Sequence, residues 1–232
     1  MIRNLNELSH FRNITTLDGQ QIRVNPCDMY ISRDLTNWGE WEPHIRAVLR
    51  DRCKEGMTFM DIGANIGAHT VFMSKLVGES GCGFAFEPCN SHSAILFFNL
   101  MNNNCFNTTV FQYGCSDVEE TMFIQECFTL TKQQHNFGGI TLQTVKKEND
   151  ETIQTKIIDL LDLPHIDIVK IDAEGMEEQV IKGMAKTIEK YRPIFIVEIH
   201  TACEQTMGNL FASIGYNVSR IGNSWDFLAV PN

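Results

Sequence analysis

The chain has 232 residues, of which 43% are hydrophobic, and this length and composition are typical of a globular protein with one domain of ordinary to large size. Its 19 basic and 29 acidic residues give a formal net charge of −10, which argues against a broad basic surface for duplex or long RNA. No apolar run approaches the roughly 18 residues of a membrane span, and the first residues lack the hydrophobic core of a signal peptide. The eight cysteines include no CxxC pair. We therefore expect a cytoplasmic protein with reduced thiols and no membrane association.

Residues 1–40 are predicted to form an N-terminal extension, irregular except for a hairpin in which Asp18-Gly19 joins 14–17 to 21–24. Residues 41–232 are predicted to form a single domain. Its predicted helices cover 42–52, 66–77, 91–103, 176–190 and 203–214, and its predicted strands cover 58–62, 82–87, 108–113, 121–125, 153–158, 166–172 and 194–199. A closing hairpin is predicted to pair 216–221 with 225–230 across Gly222-Asn223.

Strands separated by helices indicate an α/β fold in which a mostly parallel sheet carries helices on both faces. The closing hairpin adds an antiparallel edge. The prediction is therefore the Rossmann-like, seven-stranded sheet of class I methyltransferases, and not the six-stranded sheet of dinucleotide enzymes. Residues 126–152 follow no periodic pattern and carry Gly138-Gly139 among many polar residues. A segment of this length without regular structure is predicted to be a lid or a substrate loop.

The turn after the first strand of the domain contains the strongest indication of a ligand. Strand, glycine-bearing turn and helix follow one another as in a nucleotide-cofactor loop. However, Asn65 and Ala68 stand where a dinucleotide fingerprint has glycine, and the acidic Asp61 opens the turn. A carboxylate there suits a ligand with a positive amino group and no phosphate, such as S-adenosylmethionine. The predicted cofactor contacts in this turn are Asp61, Gly63, Ala64, Asn65, Gly67 and Thr70.

Glu87-Pro88 ends the second strand of the domain, with Glu87 placed 20 residues after Gly67. An acidic residue at this distance binds the ribose hydroxyls of a cofactor in this topology. The alternative interpretation is an exposed carboxylate at a strand end, which the neighbouring Asp61 turn makes weaker. Glu87 and Pro88 are therefore added to the predicted cofactor site.

A second cluster of polar residues ends the strand at 166–172. Side chains alternate along a strand, so Lys170 and Asp172 share one side, and Asp172 stands at the carboxyl end where open α/β sheets bind ligands. The next strand is apolar and ends in Glu198-Ile199-His200. A carboxylate or His can take the proton of an acceptor hydroxyl during methyl transfer, and a Lys can orient the acceptor. The predicted catalytic residues are Lys170, Asp172, Glu174, Glu198 and His200, with Asp172 also contacting the cofactor.

With these residues in place, the chain resembles the FkbM family of S-adenosylmethionine-dependent methyltransferases over about residues 38–200. The matching segments are Gly39-Glu40-Trp41-Glu42, Asp61 to Gly67, Phe86-Glu87-Pro88, Gly114-Cys115-Ser116-Asp117, Lys170 to Gly175 and Arg192-Pro193 through His200. The resemblance implies O-methylation, usually of a hydroxyl on a sugar, a glycan or a small natural product. It also implies that Ser116 and Asp117 lie near the adenine and that Glu42 helps to close the cofactor pocket.

Several alternatives stay open at this level. Lys170, Asp172 and Glu198 match part of the Lys–Asp–Lys–Glu tetrad of RNA ribose 2′-O-methyltransferases, including cap enzymes, but a second Lys cannot be placed. A cofactor-binding subunit without catalytic activity, a dinucleotide oxidoreductase and a purely structural Lys–carboxylate network are weaker hypotheses. Three carboxylates could hold Mg²⁺, yet Lys170 among them argues against it, so no metal is expected.

Overall fold

A computed structural model describes residues 11–125 and 135–232 of the chain. The strands are β1 (Arg12–Thr15), β2 (Gln21–Val24), β3 (Thr58–Ile62), β4 (Cys82–Phe86), β5 (Thr108–Phe111), β6 (Gly114–Cys115), β7 (Thr121–Ile124), β8 (Glu151–Lys156), β9 (Ile168–Ile171), β10 (Ile194–Glu198), β11 (Tyr216–Arg220) and β12 (Asp226–Pro231). The helices are α1 (Ile31–Trp38), α2 (Pro43–Arg52), α3 (Ala68–Val77), α4 (Asn90–Asn102), α5 (Glu177–Gly183), α6 (Ala185–Tyr191) and α7 (Glu204–Ser213).

The main sheet has seven strands in the order β11-β12-β10-β9-β3-β4-β5. Neighbouring strands from β10 to β5 run parallel, whereas β12 runs antiparallel to both β10 and β11. The predicted Rossmann-like sheet with its antiparallel closing hairpin is confirmed. Because β4, β3, β9 and β10 are parallel neighbours, their carboxyl ends meet at one edge of the sheet, and the chemistry-bearing residues follow those ends.

Helices cover both faces of this sheet, as the alternation of side chains along the strands requires. Met60, Val169 and Val197 point to one face and pack against α5, α6 and α7. Phe59 and Ile196 point to the other face, where they pack against α2 and α3. Three charged side chains point the same way as Phe59 and Ile196, because side chains two positions apart in a strand share a face. They are Asp61, Lys170 and Glu198, and they lie on the face covered by α2 and α3. Three charged side chains are therefore gathered under two helices at the carboxyl edge.

The predicted N-terminal hairpin is present as β1 and β2, with Thr15 opposite Gln21. Two asparagine side chains, one in α4 and one directly after it, bind β2: Arg23 N–H donates to Asn99 Oδ1 at 2.7 Å, and Gln21 N–H donates to Asn103 Oδ1 at 2.8 Å. These bonds satisfy backbone groups that a two-stranded hairpin would leave open. None of the helices in the two described ranges is both long and apolar enough to cross a membrane.

Three local expectations need correction. Helix α1 lies where no regular structure was expected. The single helix expected over 176–190 is two helices that divide at Met184, whose φ of −122° and ψ of 23° are not helical. Just before the break, Gly183 packs so tightly against the Ser116 carbonyl that a Cβ would lie 2.1 Å from that oxygen. Strands β7 and β8 were expected, but they join β6 in a separate three-stranded sheet ordered β6-β8-β7. Of the expected substrate loop, residues 126–134 lie outside the described residues.

Candidate active site

A cavity of about 470 Å³ opens at the carboxyl edge of the main sheet. Its volume lies in the range of small-molecule sites. Nine of the residues singled out in the sequence line it: Glu42, Gly63, Asn65, Glu87, Pro88, Asp172, Glu174, Glu198 and His200. Residues separated by more than 150 positions in the chain are thus brought together because their strands end at the same edge.

The loop between β3 and α3 turns sharply beside the cavity. Gly63 has φ +79°, and a Cβ there would lie 1.7 Å from the Asp172 carbonyl oxygen. Asn65 has φ +50°, an uncommon value for a residue with a side chain, and Gly67 has φ +85° immediately before α3. This loop is therefore held against the end of β9. The missing side chain of Gly63 allows the loop to approach the Asp172 carbonyl closely.

Glu87 braces the same loop from the end of β4. Its carboxylate accepts hydrogen bonds from the backbone N–H groups of Asn65 and Cys89, both at 2.8 Å. Burial raises the pKa of Glu87 to about 7, against the opposing influence of His92 and the two amides. His92 is also buried, and its Nδ1 lies 3.9 Å from Glu87 Oε1. Each carboxylate oxygen still has a lone pair available, so Glu87 can accept hydroxyl donors from a ligand in the cavity.

Lys170 and Asp172 form an ion pair beneath the cavity floor, with Nζ 3.2 Å from Oδ2. Burial opposes ionisation of both groups, but each favours the charge of the other. The pKa of Lys170 is raised and that of Asp172 is lowered, with Asp61 and Glu42 also favouring the lysine charge. Glu198 hydrogen-bonds to Asp172, and burial together with the Asp172 charge raises the pKa of Glu198 to about 9. At neutral pH, Glu198 therefore keeps its proton and donates it toward an ionised Asp172.

Glu174 completes the carboxylate group, and its backbone has φ +49°, a strained value for glutamate. Burial raises its pKa to about 7, with the charges of Asp172 and Glu177 acting in the same direction. One carboxylate oxygen from each of Asp172, Glu174 and Glu198 lies within 4.8 Å of the other two, and ligating atoms of Glu87, Cys89 and His92 lie equally close together. Both clusters could hold a cation, although Lys170 already supplies positive charge to the first.

The α2–α3 face adds two further polar contacts beneath the cofactor loop. Thr70 Oγ1 donates to Asp61 Oδ2 at 2.6 Å, and His69 Nε2 lies 2.8 Å from Glu42 Oε2. Among the described residues, Asp61 Oδ1 and His69 Nδ1 are buried without a hydrogen-bond partner. Glu42 and Glu87 on the cavity wall, with Asp61 buried below the loop, suit a ligand that carries positive charge and donor groups. The residues present therefore fit S-adenosylmethionine.

The other seven predicted residues do not line the cavity. They are Asp61, Ala64, Gly67, Thr70, Ser116, Asp117 and Lys170. Lys170 contacts the wall through its ion pair with Asp172, whereas Asp61 and Thr70 bind each other below the loop. Ser116 and Asp117 follow β6, where the Ser116 carbonyl packs against Gly183 and the Ser116 hydroxyl lies 3.3 Å from Asp117 Oδ1.

Sequence reasoning did not single out several cavity residues. Tyr113 follows β5, so the rule that ligands bind at strand ends could have identified it. His92, in the first turn of α4, and Trp225, in the closing hairpin, carried no local signal. Asn136, Gly138 and Leu142, from the described part of the expected substrate loop, also line the cavity.

Comparison with known proteins agrees with this architecture. One relative is the hexuronic acid methyltransferase AglP of Haloferax volcanii, which is 26% identical over 169 residues. That alignment covers 70% of this chain and 64% of the relative, so the chain spans just under two thirds of that protein's length.

Solved structures show the same fold. The methyltransferase FkbM of Methylobacillus flagellatus superposes with a TM-score of 0.57 at 16% identity, over 75% of this chain and 43% of its own. A SAM-dependent O-methyltransferase of Thermotoga maritima gives a TM-score of 0.53 at 12% identity, over 95% of this chain and 77% of its own. The family model of the methyltransferase FkbM domain matches residues 61–216, which is more than half of the chain. The chain therefore belongs to the FkbM methyltransferase domain family.

Proposed function

We propose that the protein is an S-adenosylmethionine-dependent O-methyltransferase acting on a hydroxyl of a sugar, a glycan or another small molecule. The observation that carries the proposal is the carboxylate group Asp172, Glu174 and Glu198, which lines the same cavity as the cofactor loop at Gly63 and Asn65. A relative named for methylating a hexuronic acid supports a sugar acceptor. When bound, the cofactor would supply an electrophilic methyl group on its sulfonium.

We assign the cofactor to the β3 and β4 ends of the cavity. Glu87 would accept hydrogen bonds from the ribose hydroxyls, and Gly63 and Asn65 would lie against the amino acid portion. Glu42 is held at the cavity wall by His69, with the 2.8 Å contact described above. Its carboxylate would help to balance the positive charges of the cofactor.

We assign proton removal to Glu174. A general base works best when its pKa is near the working pH, and the pKa of Glu174 is raised to about 7. The acceptor hydroxyl would donate its hydrogen bond to Glu174, which would orient its oxygen toward the methyl carbon, while Asp172, kept ionised by Lys170, would raise the basicity of Glu174. The new C–O bond would form as the C–S bond breaks, and the hydroxyl proton would pass to Glu174. Glu198 would hold Asp172 in place by donating its own proton.

An RNA acceptor is a weaker hypothesis. The 28 residues that line the cavity are all described ones, and they include neither Lys nor Arg. Phosphate recognition relies mainly on those two side chains. The second Lys of the RNA ribose tetrad is therefore not found on this wall.

The proposal is tested first by calorimetry with S-adenosylmethionine and then by transfer of a labelled methyl group. Acceptors should include neutral saccharides, uronic acids and capped RNA. Asp172→Asn should abolish labelling while cofactor binding persists. Glu178→Gln is a matched control, because Glu178 is a carboxylate of α5 that pairs with Lys182 at 2.7 Å and does not line the cavity. A wild-type protein that does not bind the cofactor, or that labels only RNA, would contradict the proposal.

A further inference from the structure

The cavity wall changes character along the sheet edge, from the proposed cofactor end to the opposite end. Strand order places Glu87 after β4, the Gly63 loop after β3, and Asp172 and Glu174 after β9. Glu198 and His200 follow at β10, and Trp225 lies in the turn before β12. Strands are spaced about 4.8 Å apart, so four steps from β4 to β12 span roughly 19 Å. An acceptor that reaches Asp172 from the side opposite the cofactor therefore meets Trp225.

Trp225 is held in place by its backbone while its ring stays open. Ile199 N–H donates to the Trp225 carbonyl at 2.8 Å, and the next residue, Asp226, pairs with Glu198 in the sheet. Asp226 is itself anchored by His44 Nε2 at 2.7 Å. The Trp225 side chain is nevertheless 53% exposed. Because the backbone is fixed, only the two side-chain torsions of the indole remain to be ordered when a ligand packs on the ring.

His200 lies beside the indole, with ring centroids 5.2 Å apart and planes inclined at 56°. Both rings line the cavity. Together they form a surface that is apolar on its faces and carries N–H donors at its edges. This combination matches a pyranose ring, which has one face of C–H groups and hydroxyls around its rim. Stacking on Trp supplies contact area at low entropic cost, and the hydroxyls are bound by the neighbouring polar groups.

The charge of the wall restricts the sugar further. Five carboxylates line the cavity, namely Glu42, Glu87, Asp172, Glu174 and Glu198, and neither Lys nor Arg joins them among the described residues. Lys170 is already paired with Asp172, so a sugar carboxylate would approach the ionised Asp172 and the neighbouring acidic side chains without a free cationic partner on the wall, which is unfavourable even though Glu198 keeps its proton. An uncharged ring avoids that cost. Resting on the proposed function, we infer that Trp225 and His200 form the acceptor subsite and that the acceptor is an uncharged pyranose, not a uronic acid.

A single exposed tryptophan needs no functional explanation by itself, and this chain provides the comparison. Trp38, at the end of α1, is 70% exposed and does not line the cavity. Trp225 differs because its ring packs beside His200 and it lines the same cavity as the carboxylates. Trp38→Ala is therefore a matched control for Trp225→Ala.

The experiment uses the full chain saturated with S-adenosylhomocysteine for binding and with labelled S-adenosylmethionine for transfer. A panel of neutral methyl pyranosides and short neutral oligosaccharides is compared with the corresponding uronic acids and a capped RNA oligonucleotide. Binding is followed by tryptophan fluorescence and calorimetry. We expect a neutral saccharide to be methylated with kcat/KM at least tenfold above its uronic acid. Trp225→Ala should raise its KM or Kd about tenfold, which corresponds to ~1.4 kcal/mol, with kcat and cofactor affinity within a few-fold. Trp225→Phe should recover part of the loss, and Trp38→Ala should behave as wild type.

The inference is overturned if Trp225→Ala matches Trp38→Ala, if the uronic acid is preferred, or if RNA is the best acceptor. It is also overturned if the cofactor-bound protein neither binds nor methylates any neutral saccharide of the panel. Failure of the wild-type protein to bind the cofactor is a separate result, because it contradicts the proposed function itself and not the choice of acceptor.

Discussion

Replacement of Glu87 should affect both the stability of the fold and the binding of the cofactor. Its carboxylate accepts two backbone N–H groups, those of Asn65 and Cys89, each at 2.8 Å. Hydrogen bonds to a charged acceptor contribute about 1.5–3 kcal/mol each, so Glu87→Ala would forfeit about 3–6 kcal/mol. Burial already raises the pKa of Glu87 to about 7 and offsets part of this stabilisation. We therefore expect the free energy of unfolding to fall by about 3 kcal/mol, measured by urea denaturation with an unchanged m value.

The ribose contact can be separated from this structural effect with Glu87→Gln, which retains one acceptor oxygen. S-adenosylhomocysteine and its 2′-deoxy analogue are titrated by calorimetry against wild type and variant. Loss of the hydroxyl should weaken binding to wild type by about 1.5–3 kcal/mol and should weaken binding to Glu87→Gln by at least ~1 kcal/mol less. An equal penalty in both proteins would show that Glu87 supports the loop without contacting the ribose.

The remaining predictions concern chemistry and the cofactor loop. Asp172→Asn should reduce turnover about 100-fold or more with unchanged circular dichroism, and near-normal turnover would remove Asp172 from the chemistry. Turnover should rise with pH through about 7 as Glu174 ionises and fall near 9 as Glu198 loses its proton. In pH–rate profiles, Glu174→Gln should be nearly inactive and Glu198→Gln should lose only the alkaline decline; an unaltered profile in both would contradict the assignments. Folding should also become less favourable as the pH rises. Glu198 has a raised pKa in the folded protein and therefore binds its proton more tightly there than in the unfolded chain. The free energy of unfolding should consequently fall as the pH increases from about 4.5 to about 9. Gly63→Ala should be strongly destabilising in thermal unfolding, because its Cβ would lie 1.7 Å from the Asp172 carbonyl oxygen. Gly208→Ala, in a helix with open space around it, should be neutral or stabilising by about 0.5–1 kcal/mol. Equal effects of the two substitutions would show that the loop at Gly63 can relax.

Local sequence pattern determined most of the sheet. Short apolar runs separated by helical segments specify β3, β4, β9 and β10, and Gly222-Asn223 specifies the closing hairpin, because these signals depend on residues a few positions apart. The same reasoning located Glu87, Asp172 and Glu198, since polar residues directly after buried strands must lie at the carboxyl edge. The family model that matches residues 61–216 confirms the resemblance inferred from these motifs.

Tertiary structure decided the features that depend on contacts between distant segments. Gly183 lies so close to the Ser116 carbonyl that no side chain fits there, and nothing near Gly183 in the sequence indicates that contact. Trp225 reaches the cavity because β12 pairs with β10, which places the turn before β12 beside His200. The unequal ionisation of Asp172 and Glu198 likewise depends on burial and on Lys170 beneath them. Strand order, close backbone approach and desolvation are properties of the packed molecule, and no local pattern of side chains encodes them.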